Sequence, residues 1–155
     1  MPRLVKGGKY VFGWSPIGPN GRIKIPPEAF MEYQFKIGEK GIIIPGSKTS
    51  GGFGLSSLRL LKDSPIGERI TQNKNLSEFK IPKGKTITIK GKLFCWIDIK
   101  KGKIINIPEE TLSIYNLKVN DHLLSVRGSR LAIGFLVKGP LIKEAKKLKV
   151  LDVFK

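Results

Sequence analysis

Arg22-Ile23-Lys24-Ile25-Pro26 returns 82 residues later as Ile104-Ile105-Asn106-Ile107-Pro108. Upstream of this pair, the same spacing brings Phe12 onto Phe94, Trp14 onto Trp96 and Ile17 onto Ile99. Downstream it brings Glu28 onto Glu110, Tyr33 onto Tyr115, Lys36 onto Lys118, Gly46-Ser47 onto Gly128-Ser129 and Gly52-Phe53 onto Gly134-Phe135. Positions 12–53 hold 13 identities in 42 without a gap. Other pairs exchange one apolar residue for another, such as Phe30 with Leu112, Phe35 with Leu117 and Ile42 with Leu124. The chain therefore reads as two copies of one unit.

Within a unit, the pattern predicts short strands joined by turns. Tyr10–Trp14 is apolar and aromatic, as strands favour. Pro16–Gly21 is a turn, and Arg22–Ile25 alternates with period two, Ile23 and Ile25 inward. Pro26-Pro27 stops that strand, and Pro27 suits the first position of a short helix running from Glu28 to Tyr33. Gly41–Pro45 and Phe53–Leu61 are read as further strands, with Gly46–Gly52 between them as a loop. The second unit repeats this with Leu93–Ile97, Lys103–Ile107, a helix near Glu109–Tyr115, Leu123–Val126 and Leu131–Val137. Lys62–Lys85 reads mostly as a connection, with at most one short strand. Pro140–Lys149 has the spacing of a short amphipathic basic helix.

One such unit buries little, whereas two stacked copies build a continuous core. The expected fold is all-β with short helices, a pseudo-twofold barrel from two tandem repeats. Residues 1–61 form the first repeat, 62–85 the connection, 86–139 the second repeat and 140–155 a basic C-terminal helix and tail.

Charge narrows the partner. The 155 residues carry a net +17. Residues 1–77 hold 12 basic and 5 acidic groups, a net +7, and residues 78–155 hold 17 and 7, a net +10. Both halves are basic, so the excess is not one tail. Such a surface attracts polyanions, because neutralised phosphates release counterions. A lysine-rich solubility surface, as in heat-adapted proteins, is the competing reading.

At Gly21-Arg22-Ile23-Lys24-Ile25-Pro26, a short helix, then Phe35-Lys36-Ile37-Gly38-Glu39, the sequence resembles the SpoVT/AbrB-like family. Gly102-Lys103-Ile104-Ile105-Asn106-Ile107-Pro108, followed by Leu117-Lys118-Val119-Asn120-Asp121, resembles a second copy. The resemblance covers 10–55 and 92–137. It implies a swapped-hairpin barrel, two units interleaving hairpins, here within one chain. It also implies a DNA-binding transcriptional regulator that contacts duplex DNA through basic strand and loop residues.

The candidate nucleic-acid-binding residues are Arg22 and Lys24 on one copy and Lys100, Lys101 and Lys103 on the other, with Arg127 and Arg130 in a loop tip. Lysine supplies phosphate affinity as a point charge, and arginine can also read guanine bidentately. Gly46-Ser47-Lys48 and Arg127-Gly128-Ser129-Arg130 are either phosphate-holding tips or plain hairpin turns. Trp14 and Trp96 read as core rather than as base-stacking platforms.

Other classes find little support. The single histidine, His122, matches Lys40 in a turn, and no phosphate-loop, metal-spacing or nucleophile motif is present. The chain is expected to be non-enzymatic, with no catalytic residues, metal site or cofactor. The lone Cys95, in an apolar run, is expected to be a buried thiol, which fits a cytoplasmic protein. No apolar run is long enough to span a bilayer, and no secretory leader is expected. Duplex DNA is the expected partner, bound by a monomer or homodimer. RNA or a protein partner on the same barrel is the alternative, the short helix carrying no arginine in either copy.

Overall fold

The structure, a computed structural model, describes residues 3–4, 10–148 and 151–155. The chain is mostly β with short helices. Its strands are β1 (Arg3–Leu4), β2 (Tyr10–Pro16), β3 (Arg22–Lys24), β4 (Lys40–Pro45), β5 (Phe53–Ser56), β6 (Ile87–Ile89), β7 (Lys92–Asp98), β8 (Ile104–Asn106), β9 (His122–Arg127) and β10 (Ile133–Leu136). The helices are α1 (Pro27–Glu32), α2 (Leu58–Leu61), α3 (Pro65–Gln72), α4 (Lys74–Ser77), α5 (Glu109–Ile114) and α6 (Pro140–Lys146).

Four elements of the first half and their counterparts keep the 82-residue spacing at both ends: β2 with β7, β3 with β8, α1 with α5 and β4 with β9. The left-handed backbone positions keep it too. Asn20, Gly21, Gln34 and Gly38 match Gly102, Lys103, Asn116 and Asn120, all with positive φ. The repeat in sequence is thus a repeat in backbone conformation.

Strand pairing crosses between the halves. β2 pairs antiparallel with β9, and β4 with β7. Trp14 stands opposite Leu124, and Trp96 opposite Ile42, which are the same two positions with the halves exchanged. β3 pairs with β8 as a separate ribbon, with Ile23 opposite Ile105. β5 pairs with β10, with Phe53 opposite Phe135. The main sheet runs β1-β2-β9-β10-β5-β4-β7-β6. It ends at β1 and β6, so among the described residues hydrogen bonding does not close the expected barrel. β3 and β8 pair with each other instead of joining that sheet.

The central core takes residues from both halves. Ile17, Ile23, Ile25, Phe35, Phe53 and Leu55 pack with Ile97, Ile99, Ile105, Ile107, Leu117 and Phe135. Tyr33 closes one side, its hydroxyl donating to Ser129 O at 2.6 Å and Ala132 O at 3.0 Å. Tyr33→Phe is expected to cost about 1–2 kcal/mol in urea unfolding, because one buried and one part-buried carbonyl lose this donor. Cys95 lies in this core as expected. Burial pushes its thiol up to about 12, so it stays neutral near pH 7.

Two smaller apolar clusters lie beside the central one. α6 places Ile142 and Ala145 against Val11, Leu124 and Val126, with Trp14 at the margin. α2–α4 place Leu61, Ile70 and Leu76 against Ile42 and Phe94, with Trp96 at the margin. Both tryptophans are therefore half-buried rather than core. Phe12 and Phe94 are identical at the repeat spacing yet part company. A bulge between Val11 and Gly13 lets Phe12 reach the central core, while Phe94 packs in the cluster under α2–α4.

The connection departs most from expectation. Phe53–Leu61 is not one strand: it breaks after Ser56, and Ser57 Oγ caps α2 by accepting from Leu60 N at 3.2 Å. Lys62–Lys85 holds helices instead of the strand allowed there. Ser64 Oγ caps α3 by accepting from Gly67 N at 3.0 Å, with Pro65 in its first turn, and Asn73 Oδ1 caps α4 by accepting from Leu76 N at 3.3 Å. The basic C-terminal helix is present as α6; Lys149 lies outside the described residues.

Candidate nucleic-acid interface

The β3–β8 ribbon is where the basic candidates meet. Each strand is entered through a four-residue turn. In the first, Gly18 N donates to Arg22 O at 2.8 Å; in the second, Lys100 N donates to Ile104 O at 2.7 Å. The first turn is Gly18-Pro19-Asn20-Gly21 and the second Lys100-Lys101-Gly102-Lys103. Turns closed by the same hydrogen bond therefore carry no cation on one side and three on the other.

Register adds a fourth. Lys24 stands opposite Ile104, beside the lysine turn, and Ile25 N donates to Lys103 O at 2.8 Å. Lys24, Lys100, Lys101 and Lys103 thus share one end of the ribbon, with Lys100 and Lys101 exposed. None of the four forms an ion pair among the described residues. Lys103 Nζ lies 5.4 Å from the centre of the Phe30 ring, a cation–π contact that holds its charge near α1. Arg22, opposite Asn106, is exposed at the other end of the ribbon.

Arg127 and Arg130 are not part of this group. Arg127 ends β9, whose first residue, His122, stands opposite Pro16 where the chain leaves β2 for the ribbon. Arg127 bonds Glu32 through both Nε (2.6 Å) and Nη2, and its guanidinium lies 4.2 Å from the centre of the Tyr10 ring. Its hydrogen bonds to Glu32 hold its pKa above the ordinary arginine range. Tyr10 Oη in turn donates to Glu28 Oε1 at 2.8 Å. Arg127 is thus held by a carboxylate. Arg130 is exposed on the hairpin that follows. Both glycine-containing tips use their amides internally: Gly51 N donates to Ser47 O at 2.8 Å, and Ser129 N to Ala132 O at 3.1 Å. They are hairpin turns.

The lysine turn offers a clean variant. Lys103 has φ 63°, a left-handed backbone that glycine adopts freely, and its counterpart is Gly21 at φ 68°. Lys103→Gly is expected to shift unfolding free energy by about 1 kcal/mol at most. It removes one charge from the ribbon while thermal unfolding shows the fold intact.

Comparison with family models, with curated proteins and with solved structures returns no match. Among the described residues, no group of three or more His, Cys, Asp or Glu side chains is placed to hold a metal ion. No helix among them is long and apolar enough to cross a membrane.

The asymmetry between the two turns is visible in sequence as Gly-Pro-Asn-Gly against Lys-Lys-Gly-Lys. Proximity of Lys24 to the second turn is not, because it depends on the β3–β8 register. The capture of Arg127 by Glu32 is likewise hidden, the two being far apart in the chain.

Proposed function

We propose that this chain is a DNA-binding protein of SpoVT/AbrB type. It is a transcriptional regulator that grips duplex DNA through the lysine-bearing end of the β3–β8 ribbon. Crossed strand pairing supports the swapped-hairpin part of this reading. Two like pairs, Ile23 with Ile105 and Phe53 with Phe135, lie where a pseudo-twofold axis would pass.

One observation carries the functional reading: four lysines at one ribbon end, free of acidic partners among the described residues, on a chain of net +17. Cations left unneutralised by carboxylates are available to phosphates. Contacts of this kind fix a protein on the duplex and release counterions. Lysine as a point charge does not impose a base preference, so the predicted grip is on the backbone.

Fluorescence polarisation with a labelled duplex, titrated at several salt concentrations, tests the proposal. Binding that tightens as salt falls is expected. Absence of binding at the lowest salt refutes it, since the electrostatic contribution is greatest there. A structured RNA competitor that displaces the duplex at far lower concentration than unlabelled duplex would transfer the reading to RNA.

A further inference from the structure

Trp14 and Trp96 stand at matching positions, yet only one indole is covered by the connecting segment. Phe79, which follows α4, stands edge-on to Trp96 with ring centres 5.3 Å apart. Lys40 Nζ lies 5.5 Å from the centre of each of these rings. Trp96 Nε1 donates to Ile81 O at 2.7 Å. Phe79 belongs to the connection between repeats and has no counterpart beside Trp14. There the indole lines an open groove of about 890 Å³.

The groove is more than an absence. His122, the counterpart of Lys40, lines it, as do Arg22 from β3 and Lys146 from α6. Asp121 is the acidic side chain on its wall, and its carboxylate is turned into its own loop, Oδ2 accepting from Lys118 N at 2.9 Å. Trp14 Nε1 has no hydrogen-bond partner among the described residues. The groove thus combines an aromatic wall, an indole donor unbonded among the described residues and three cationic side chains, Arg22, Lys146 and Lys155. Its volume lies within the roughly 300–1,000 Å³ usual for small-ligand sites.

We propose that this groove binds a nucleoside monophosphate unit, its base against Trp14 and its phosphate toward Arg22 and Lys146. At Trp96 the same scaffold position takes an aromatic ring with a cation over it, which is the chemistry a base and its neighbours reproduce. Aromatic side chains hold bases by their π faces or edges, and arginine matches the phosphate fork. The unit is supplied either as a free nucleotide or as one residue of a single strand. Lys100, Lys101 and Lys103 take no part, so the proposal stands or falls apart from the duplex reading.

The two indole N–H resonances of the intact protein test it, assigned with Trp96→Phe. Adenosine monophosphate is expected to shift the Trp14 resonance saturably and leave that of Trp96, which is bonded to Ile81 O, in place. Adenosine and inorganic phosphate alone should bind about tenfold more weakly. Arg22→Ala and Lys146→Ala, both exposed positions, should each weaken the nucleotide about tenfold, while Lys100→Ala/Lys101→Ala should not. A deoxyadenosine trinucleotide that binds more tightly than the monophosphate identifies a strand as the source; the reverse order identifies the free nucleotide. If neither probe moves the Trp14 resonance, or if the shift survives both Arg22→Ala and Lys146→Ala, the groove is not a nucleotide site.

Discussion

Phe135→Ala is expected to lower the unfolding free energy by about 3–5 kcal/mol, against a total of about 5–15 kcal/mol for a domain of this size. Phe135 is fully buried and stacks on Phe53 with ring centres 5.0 Å apart. The pair joins β5 of one half to β10 of the other, so its loss opens a cavity where the two repeats meet. Met31→Ala, at a side chain 77% exposed, should change stability by about 0.5 kcal/mol or less. Urea unfolding measures both. A single transition, coincident by fluorescence and circular dichroism, is also expected. Neither half owns a complete core: β2 depends on β9, and β7 on β4. Two resolved transitions would contradict that shared core.

The larger functional effect is expected from Lys100→Ala/Lys101→Ala/Lys103→Gly. Each phosphate contact changes log K by about 0.9 per decade of salt, so at 50 mM salt losing three costs roughly a thousandfold in duplex affinity. The first two positions are exposed and the third accepts glycine, so the fold should survive. Arg127→Ala, by contrast, breaks a bond to Glu32 and should leave the affinity within about twofold. Equal losses in log K per charge removed from the two variants would mean that general positive charge, rather than the ribbon, attracts the DNA.

Much of this architecture is legible in the chain because a repeat compares the sequence with itself. Tyr10–Pro16 and Lys92–Asp98 are both strands with matching bounds because Trp, Ile and the following turn recur in register. Repeat pairing is silent where a segment has no counterpart. Ser64-Pro65 and Asn73 look like turn residues, and only as caps do they announce α3 and α4. It also misleads where one residue is bulged out. Phe12 and Phe94 are identical, yet they enter different clusters. The lysine cluster and the Trp14 groove lie further from view. The first needs the register of β3 on β8. The second exists because Phe79 covers one indole and nothing from the connection covers the other.

The proposed hold on duplex DNA rests on phosphate contacts from the lysine end of the ribbon. The most direct measurement is log K for a duplex against log salt, for the wild-type chain and for the triple lysine variant side by side. Binding that weakens steeply with salt in the wild type, and a slope shallower by about 2.7 in the variant, is the predicted result. Parallel slopes, or a wild-type chain that leaves the duplex unbound at the lowest salt, would contradict it.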